Sequence, residues 1–298
     1  MNDLHLPHGS LEHDGDPVEL TPEQAGWHYT GLRVIFLKPG LDRVIETGDS
    51  EMIVLPLGAV DISVSVTDKA FHLNGRSSVF ARVTDFLYVG RDSSFMISAP
   101  GGGEVALATA RCDKRLPPAY GSTNDIEVEV RGAGPATRQV TNFASPDTWG
   151  RAEKIMCVEL LTPDGNWSSY PPHKHDDSPE CEVNNEEIYY FRIGRAGTTD
   201  YTSEGFGMHR TYTGDGVIDV NVAVGDGDVF LVPRGYHGPC IAAPGYTMYY
   251  LNVLAGPGGD RSMAFCDDPA HHWVRDEWEG MPTDSRCPMT TEAGVVGG

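Results

Sequence analysis

Residues 168–194 read SSYPPHKHDDSPECEVNNEEIYYFRIG. His173 and His175 stand two apart, and on an extended strand positions i and i+2 share a face. Their imidazoles therefore converge on one point. Glu187 opens the strand-like run EEIYYFRI. Alternation sets Glu187, Tyr189 and Phe191 on one face, and Glu186, Ile188, Tyr190 and Arg192 on the other. A carboxylate turned inward beside aromatic walls must be paired or bind a cation. Further on, GDGDVFLVPRGYH (225–237) ends an apolar strand with a Pro-Arg-Gly turn and supplies His237. His173, His175, Glu187 and His237 form a mixed nitrogen and oxygen set suited to a divalent Zn, Mn, Fe, Co or Ni ion.

Outward from this stretch the chain reads as short strands. GLRVIFLKPG, MIVLPLGAVDISVSV, SVFARV, DFLYVG, SFMISA and EVALATA precede it. KIMCVELLTP, GFGMHRTYT, VIDVNVAV, DVFLVP, PCIAA and TMYYLNVLAG surround or follow it. Each run is β-branched or aromatic and bounded by Gly, Pro, Asp or Ser, a spacing typical of sandwiches and barrels. SFMISAPGGGEVALATA holds the place in the first half that PCIAAPGYTMYYLNVLAG holds in the second, so two copies of one plan are expected. The fold class is all-β, with two jelly-roll β-barrel domains in one chain. A polar N-terminal arm is expected over 1–25, a first barrel without a metal site over 26–112 and a packed linker over 113–150. The metal-binding barrel follows over 151–256, and 257–298 form an irregular tail with a short helix at HHWVRDEWEG.

With 298 residues there is chain enough for two cores, and 35 glycines with 21 prolines favour turns and short strands. A net charge of −21 excludes a nucleic-acid partner, which needs a basic surface. Lysine is confined to Lys38, Lys69, Lys114, Lys154 and Lys174, an acidic, lysine-poor make-up suited to high salt. No apolar run approaches the roughly 20 residues of a membrane helix, and no signal peptide opens the chain. A cytoplasmic protein without a membrane partner is expected, and a homo-oligomer is left open. Cys112, Cys157, Cys181, Cys240, Cys266 and Cys287 show no CxxC pair, so they are expected to be reduced structural thiols, with Cys181 or Cys240 the candidates for reactivity.

The HxH, the strand glutamate and the G(x)5PxG turn with its histidine resemble the two-part cupin signature. Glu187 is followed by six residues and Gly194, and Gly227, Pro233, Gly235 and His237 match the second half. Trp167 stands where the first motif usually has glycine. The gap between His175 and Glu187 is long, and its loop offers Glu180, Glu182 and Glu186 as rival ligands. SSYPPHKHD, EEIYYFRI, GDGDVFLVPRGYH, APGYTMYYLNVLAGP and DDPAHHWVRDEW, with RGAGPATRQV in the linker, resemble the 5-deoxy-glucuronate isomerase family of myo-inositol catabolism. That family stands with the 4-deoxy-5-hexosulose-uronate isomerases among the bicupins.

The resemblance implies a metal-dependent aldose–ketose isomerase acting on a small deoxy-uronate sugar through an enediol. Glu187 is a candidate base as well as a ligand. An arginine would hold the sugar's acid group, because a guanidinium pairs bidentately with a carboxylate. Arg234, near His237, leads; Arg192 and Arg210 follow, and Tyr249 is a candidate donor to a hydroxyl. The same ligand set also serves iron-dependent cupin dioxygenases, and a non-catalytic sugar-binding cupin is the third reading.

Overall fold

The structure, a computed structural model, describes residues 3–177 and 181–296. Its first half runs β1 (His5–Leu6), β2 (Val18–Leu20), β3 (Thr30–Leu37), β4 (Arg43–Glu46), β5 (Ser50–Val66), β6 (Lys69–Arg76), β7 (Phe86–Val89), β8 (Ser94–Ser98), β9 (Gly103–Arg111) and β10 (Ala119–Gly121). The second half runs β11 (Glu127–Arg131), β12 (Arg138–Ala144), β13 (Met156–Thr162), β14 (Trp167–Ser168), β15 (His173–Lys174), β16 (Glu186–Arg195), β17 (Gly207–Tyr212), β18 (Asp219–Val224), β19 (Val229–Val232), β20 (Cys240–Ala242), β21 (Tyr246–Ala255) and β22 (Cys266–Asp267). A four-residue helix, α1 (Pro22–Ala25), and a 3-10 turn at His272–Trp278 complete the main elements.

The expected repeat is visible in the strand order. One sheet runs β10-β7-β5-β9-β3-β2 and the other β1-β19-β16-β21-β13-β12-β11. The order β7-β5-β9-β3 therefore matches β19-β16-β21-β13. The first barrel is closed by β4 and β8, with β8 pairing the far half of β5; β14, β20, β17 and β18 form the facing sheet of the second. β16 and β21 are buried along nearly their whole length. One face of each fills its own barrel and the other packs on the first domain, which is why these strands read as continuous apolar runs.

Carboxylates tie the two barrels together reciprocally. Glu51, on β5, accepts hydrogen bonds from the backbone N–H groups of Glu153, Lys154 and Ile155 at 2.9, 2.6 and 2.7 Å. Glu186, on the matching strand β16, accepts those of His28, Tyr29 and Thr30 at 2.7, 2.8 and 2.9 Å. Each caps the chain entering the other barrel's matching strand, β13 or β3. Between the sheets, buried Arg76 pairs with buried Glu159, which also accepts the Tyr249 hydroxyl at 2.6 Å.

Several boundaries differ from the reading above. Within the arm expected over 1–25, residues 3–25 are built into the sheets: β1 pairs with β19 and β2 with β3, and Leu4 is buried. Open sheet edges are liabilities, and these segments cover them. The 113–150 linker is divided between the domains, with β10 covering the edge of the first sheet and β11 and β12 extending the second. SVFARV forms no strand, whereas Lys69–Arg76 does, pairing with the long β5. In the first barrel Met52 follows Glu51 where Glu187 follows Glu186, and the interior is apolar, with Ile35, Val54, Phe95 and Leu107 buried. No helix among the described residues is long and apolar enough to cross a membrane.

Candidate metal centre

Glu187 sits near the start of β16, between Val232 of β19 and Leu254 of β21. This central position buries the carboxylate and aims it into the barrel. His173 lies on β15 and His175 just beyond it. His237 comes from the turn between β19 and β20. The backbones of His173 and His237 exchange hydrogen bonds of 3.0 and 2.8 Å, joining the two halves of the motif. Gly238 permits this approach: at its φ of +102°, a Cβ would lie 2.4 Å from the Ser169 carbonyl oxygen and 2.6 Å from His173 Cε1.

The ligating atoms of His175, Glu187 and His237 lie within 4.8 Å of one another, and all three residues are buried. His175 Nε2 and His237 Nε2 are each 3.0 Å from Glu187 Oε2. His173 lies beside this group, its ring centroid 4.8 Å from that of His237. The second ring nitrogens point outward to carbonyls: His175 Nδ1 to Asn185 at 3.1 Å, His237 Nδ1 to Gly235 at 2.9 Å and His173 Nδ1 to Pro171 at 3.2 Å. A carbonyl can only accept, so each Nδ1 carries the proton, and in His175 and His237 Nε2 is turned toward the carboxylate. Metal-binding histidines are oriented in this way. His237 Nε2 is buried and has no hydrogen-bond partner, despite its short distance to Glu187. Converging acceptors of this kind fit a divalent cation. Burial alone would raise the Glu187 pKa, but the close imidazoles of His175 and His237 hold it well below the usual carboxylate range. Burial, with His237 and His175 nearby, pushes His173 down to about 3.

Two of the three rival glutamates, Glu186 and Glu182, are otherwise engaged. Glu186 faces away and caps the first barrel's chain. Buried Glu182 receives Lys174 Nζ at 2.5 Å, and Lys174 also binds Asp176 at 2.8 Å. Lys174 thus points away from its histidine neighbours, as alternation requires. Glu180 lies outside the described residues. The inserted loop is fastened by a Cys181–Cys266 disulfide, against the expectation of free thiols. The cysteines are 85 residues apart, and the pairing of β22 with β15, with the Val183 N–H on the Ala264 carbonyl at 3.2 Å, brings them together. Cys240 is buried, and burial pushes its thiol well above the ordinary value, so it is no reactive centre.

His173, His175 and Glu187 open onto a cavity of about 730 Å³, also lined by Tyr189, Asn252 and Phe265. None of the four expected sugar-binding residues, Arg234, Arg192, Arg210 and Tyr249, lines it. Arg234 is on the surface, 3.2 Å from Asp215. Arg192 emerges from the opposite face of β16 and pairs with Glu104 and Asp226. Tyr249 faces the first barrel and donates to Glu159. The same alternation that turns Glu187 and Tyr250 inward turns Arg192 and Tyr249 outward. The cavity's arginines are instead Arg131, Arg138, Arg261 and Arg275. Two of these belong to RGAGPATRQV, whose resemblance was the available signal.

The family model described as KduI/IolB matches residues 5–274. The chain belongs to the KduI/IolB family. Among curated members, 5-deoxy-glucuronate isomerase of Geobacillus kaustophilus is 39% identical over 277 residues, 92% of this chain and 96% of that one. The Bacillus subtilis (strain 168) protein of the same name is 37% identical over 261 residues, 86% and 91% of the two chains. An IolB-like protein from Salmonella typhimurium LT2 superposes with a TM-score of 0.83 at 31% identity, covering 92% of this chain and 99% of that chain. Oxalate decarboxylase from Lactobacillus farciminis shares the fold at 12% identity, with a TM-score of 0.64 over 90% of this KduI/IolB member and 89% of that chain. The all-β bicupin plan expected from the strand pattern is the plan of this family member.

Proposed function

We propose that this protein is a divalent-metal-dependent aldose–ketose isomerase converting 5-deoxy-D-glucuronate to 2-deoxy-5-keto-D-gluconate. The observation that carries the reading is the buried His175–Glu187–His237 group, whose His175 and Glu187 line a large cavity, in a chain whose relatives bear that isomerase's name. These residues, with His173 beside them, would hold the ion. A bound divalent ion supplies Lewis-acid polarisation of a carbonyl or hydroxyl oxygen and stabilises negative charge developing there.

The protein's own share is orientation and exclusion of water. The three backbone carbonyls fix the imidazole tautomers, and Phe265 packs on His173 at 4.7 Å between ring centroids. Glu187, held ionised between two imidazoles, is better suited to the cation than to carrying the proton between carbons. That proton moves between adjacent carbons through an enediol, so no external oxidant is required. Metal analysis of the purified protein, followed by assays on 5-deoxy-glucuronate and on 4-deoxy-5-hexosulose-uronate, tests the reading. Stoichiometric metal and turnover of the first substrate are expected; oxygen consumption or a metal-free active protein would overturn it.

Gly238→Ala probes the His173 seat. The added methyl must displace His173 or the Ser169 carbonyl, and metal affinity should fall by about 10–100-fold, as when an outer partner of a ligand is lost. Competition with a chelator measures it. An unchanged affinity would remove His173 from the ion's surroundings.

A further inference from the structure

Of the arginines lining the cavity, three are fully committed. Arg131 forks onto Glu129 at 2.9 and 2.6 Å, and Arg275 onto Asp267 at 2.5 and 2.8 Å. Arg261 donates to the carbonyls of Ile155, Trp149 and Ala144. Arg138 is different. It is only 4% exposed, its Nη1 meets a single carbonyl, that of Ala136 at 3.2 Å, and its Nε has no partner. It forms no ion pair among the described residues. Burial, the largest influence on it, lowers its pKa to about 10. A buried guanidinium without a carboxylate is costly to keep.

The hairpin between β11 and β12 is shaped around this side chain. Gly132 has φ +82°, and a Cβ there would lie 2.7 Å from Arg138 Nη1 and 2.2 Å from the Ala136 carbonyl oxygen. Thr137 Oγ1 donates to the Gly134 carbonyl at 2.7 Å and accepts from Asp284 N at 3.0 Å. Asn166 Nδ2 holds the Thr137 carbonyl at 3.0 Å. Arg138, Val140 and Asn142 alternate along β12 on the cavity face. Glu187 lines the same cavity three strands away, across β13 and β21. One cavity thus holds a candidate cation site and an unpaired buried cationic fork. An open-chain sugar acid carries a carbonyl at one end and a carboxylate at the other, which matches both.

We propose that Arg138 receives the carboxylate of the substrate and selects uronates over neutral sugars. The proposal rests on the isomerase reading for the identity of the acid, but not for the presence of a carboxylate site. Its test uses metal-loaded wild type, Arg138→Gln and Arg138→Lys, each checked for metal content and circular dichroism. Two measurements are made: kcat and KM for 5-deoxy-glucuronate and for its analogue reduced to the primary alcohol, and thermal shift with D-glucuronate against D-glucose. In wild type the acid should be preferred by about 100-fold or more in kcat/KM. Arg138→Gln should abolish most of that preference through KM, keep its metal content, and lose the thermal shift with glucuronate. Arg138→Lys retains charge without the fork and should fall between; if Arg138→Gln does not fold, the lysine variant decides. Full acid preference in the folded variant overturns the proposal. If wild type isomerises neither sugar yet binds glucuronate through Arg138, the isomerase reading fails and the carboxylate site stands. If turnover is present and Arg138→Gln keeps its preference, the carboxylate site alone fails.

Discussion

His175→Ala is expected to emerge from purification without its divalent ion and with isomerisation reduced by about a thousandfold or more, since Lewis-acid stabilisation is worth several kcal/mol. The expected loss of affinity exceeds the roughly 10–100-fold that follows loss of an outer partner, because a ligand itself is removed. His175 is 5% exposed and its ring is held between the Asn185 carbonyl and Glu187, so its loss removes one of the two imidazole nitrogens set against the carboxylate. Glu187→Gln should be nearly as severe: it keeps the shape but removes the anionic charge between two imidazoles. The measurements are metal analysis, steady-state turnover and circular dichroism on the same samples. A folded His175→Ala protein that still carries stoichiometric metal, or turns over at the wild-type rate, would sink the metal reading. Adding zinc, manganese or iron in excess then distinguishes weak binding from a role unconnected with metal, since only weak binding is rescued.

The candidate ligand cluster was legible because it depends on a local rule. A period of two places both HxH imidazoles on one side and chooses Glu187 over Glu186, and the structure brings His175, Glu187 and His237 together, with His173 at their side. The same rule, carried one residue further, excludes Arg192, and on β21 it separates Tyr249 from the inward Tyr250. Both expectations rest on residue type without regard to the face of the strand, and neither residue lines the cavity. Other features were not local. The Cys181–Cys266 bond depends on the pairing of β15 with β22, which no spacing announces. β11 and β12 are divided by a Gly-Pro turn, and their short runs looked like a linker until they were paired with each other and with β13. Arg138 was hidden there. Its significance lies in what it lacks, a carboxylate partner, and an absent contact leaves no pattern in a sequence. The N-terminal strand was invisible for a similar reason: β1 is two residues long and exists because β19 would otherwise be an open edge.

Glu159→Ala should destabilise the fold by about 3–5 kcal/mol, the cost of leaving one member of a buried ion pair uncompensated. Arg76 and Glu159 are 2% and 3% exposed, on strands of different barrels. The arginine also donates to the Pro56 carbonyl at 2.9 Å, so it is held in place and cannot turn to water when its partner is removed. Tyr249 loses its acceptor in the same variant. Glu159→Gln removes the charge while keeping oxygen and shape, and should cost less than the alanine variant. Replacing both partners by apolar residues, Arg76→Met with Glu159→Leu, should recover most of the loss, because the desolvation penalty disappears together with the attraction. Denaturant unfolding monitored by circular dichroism and by tryptophan fluorescence measures the series, with two probes to detect barrels that unfold separately. A loss below about 1 kcal/mol for Glu159→Ala would show that water reaches the interface and solvates the guanidinium. Glu159 faces away from the cavity, so its variants should keep their metal and, below their unfolding transition, their turnover. That separates the seam between the barrels from the centre built on the opposite face of the same sheet.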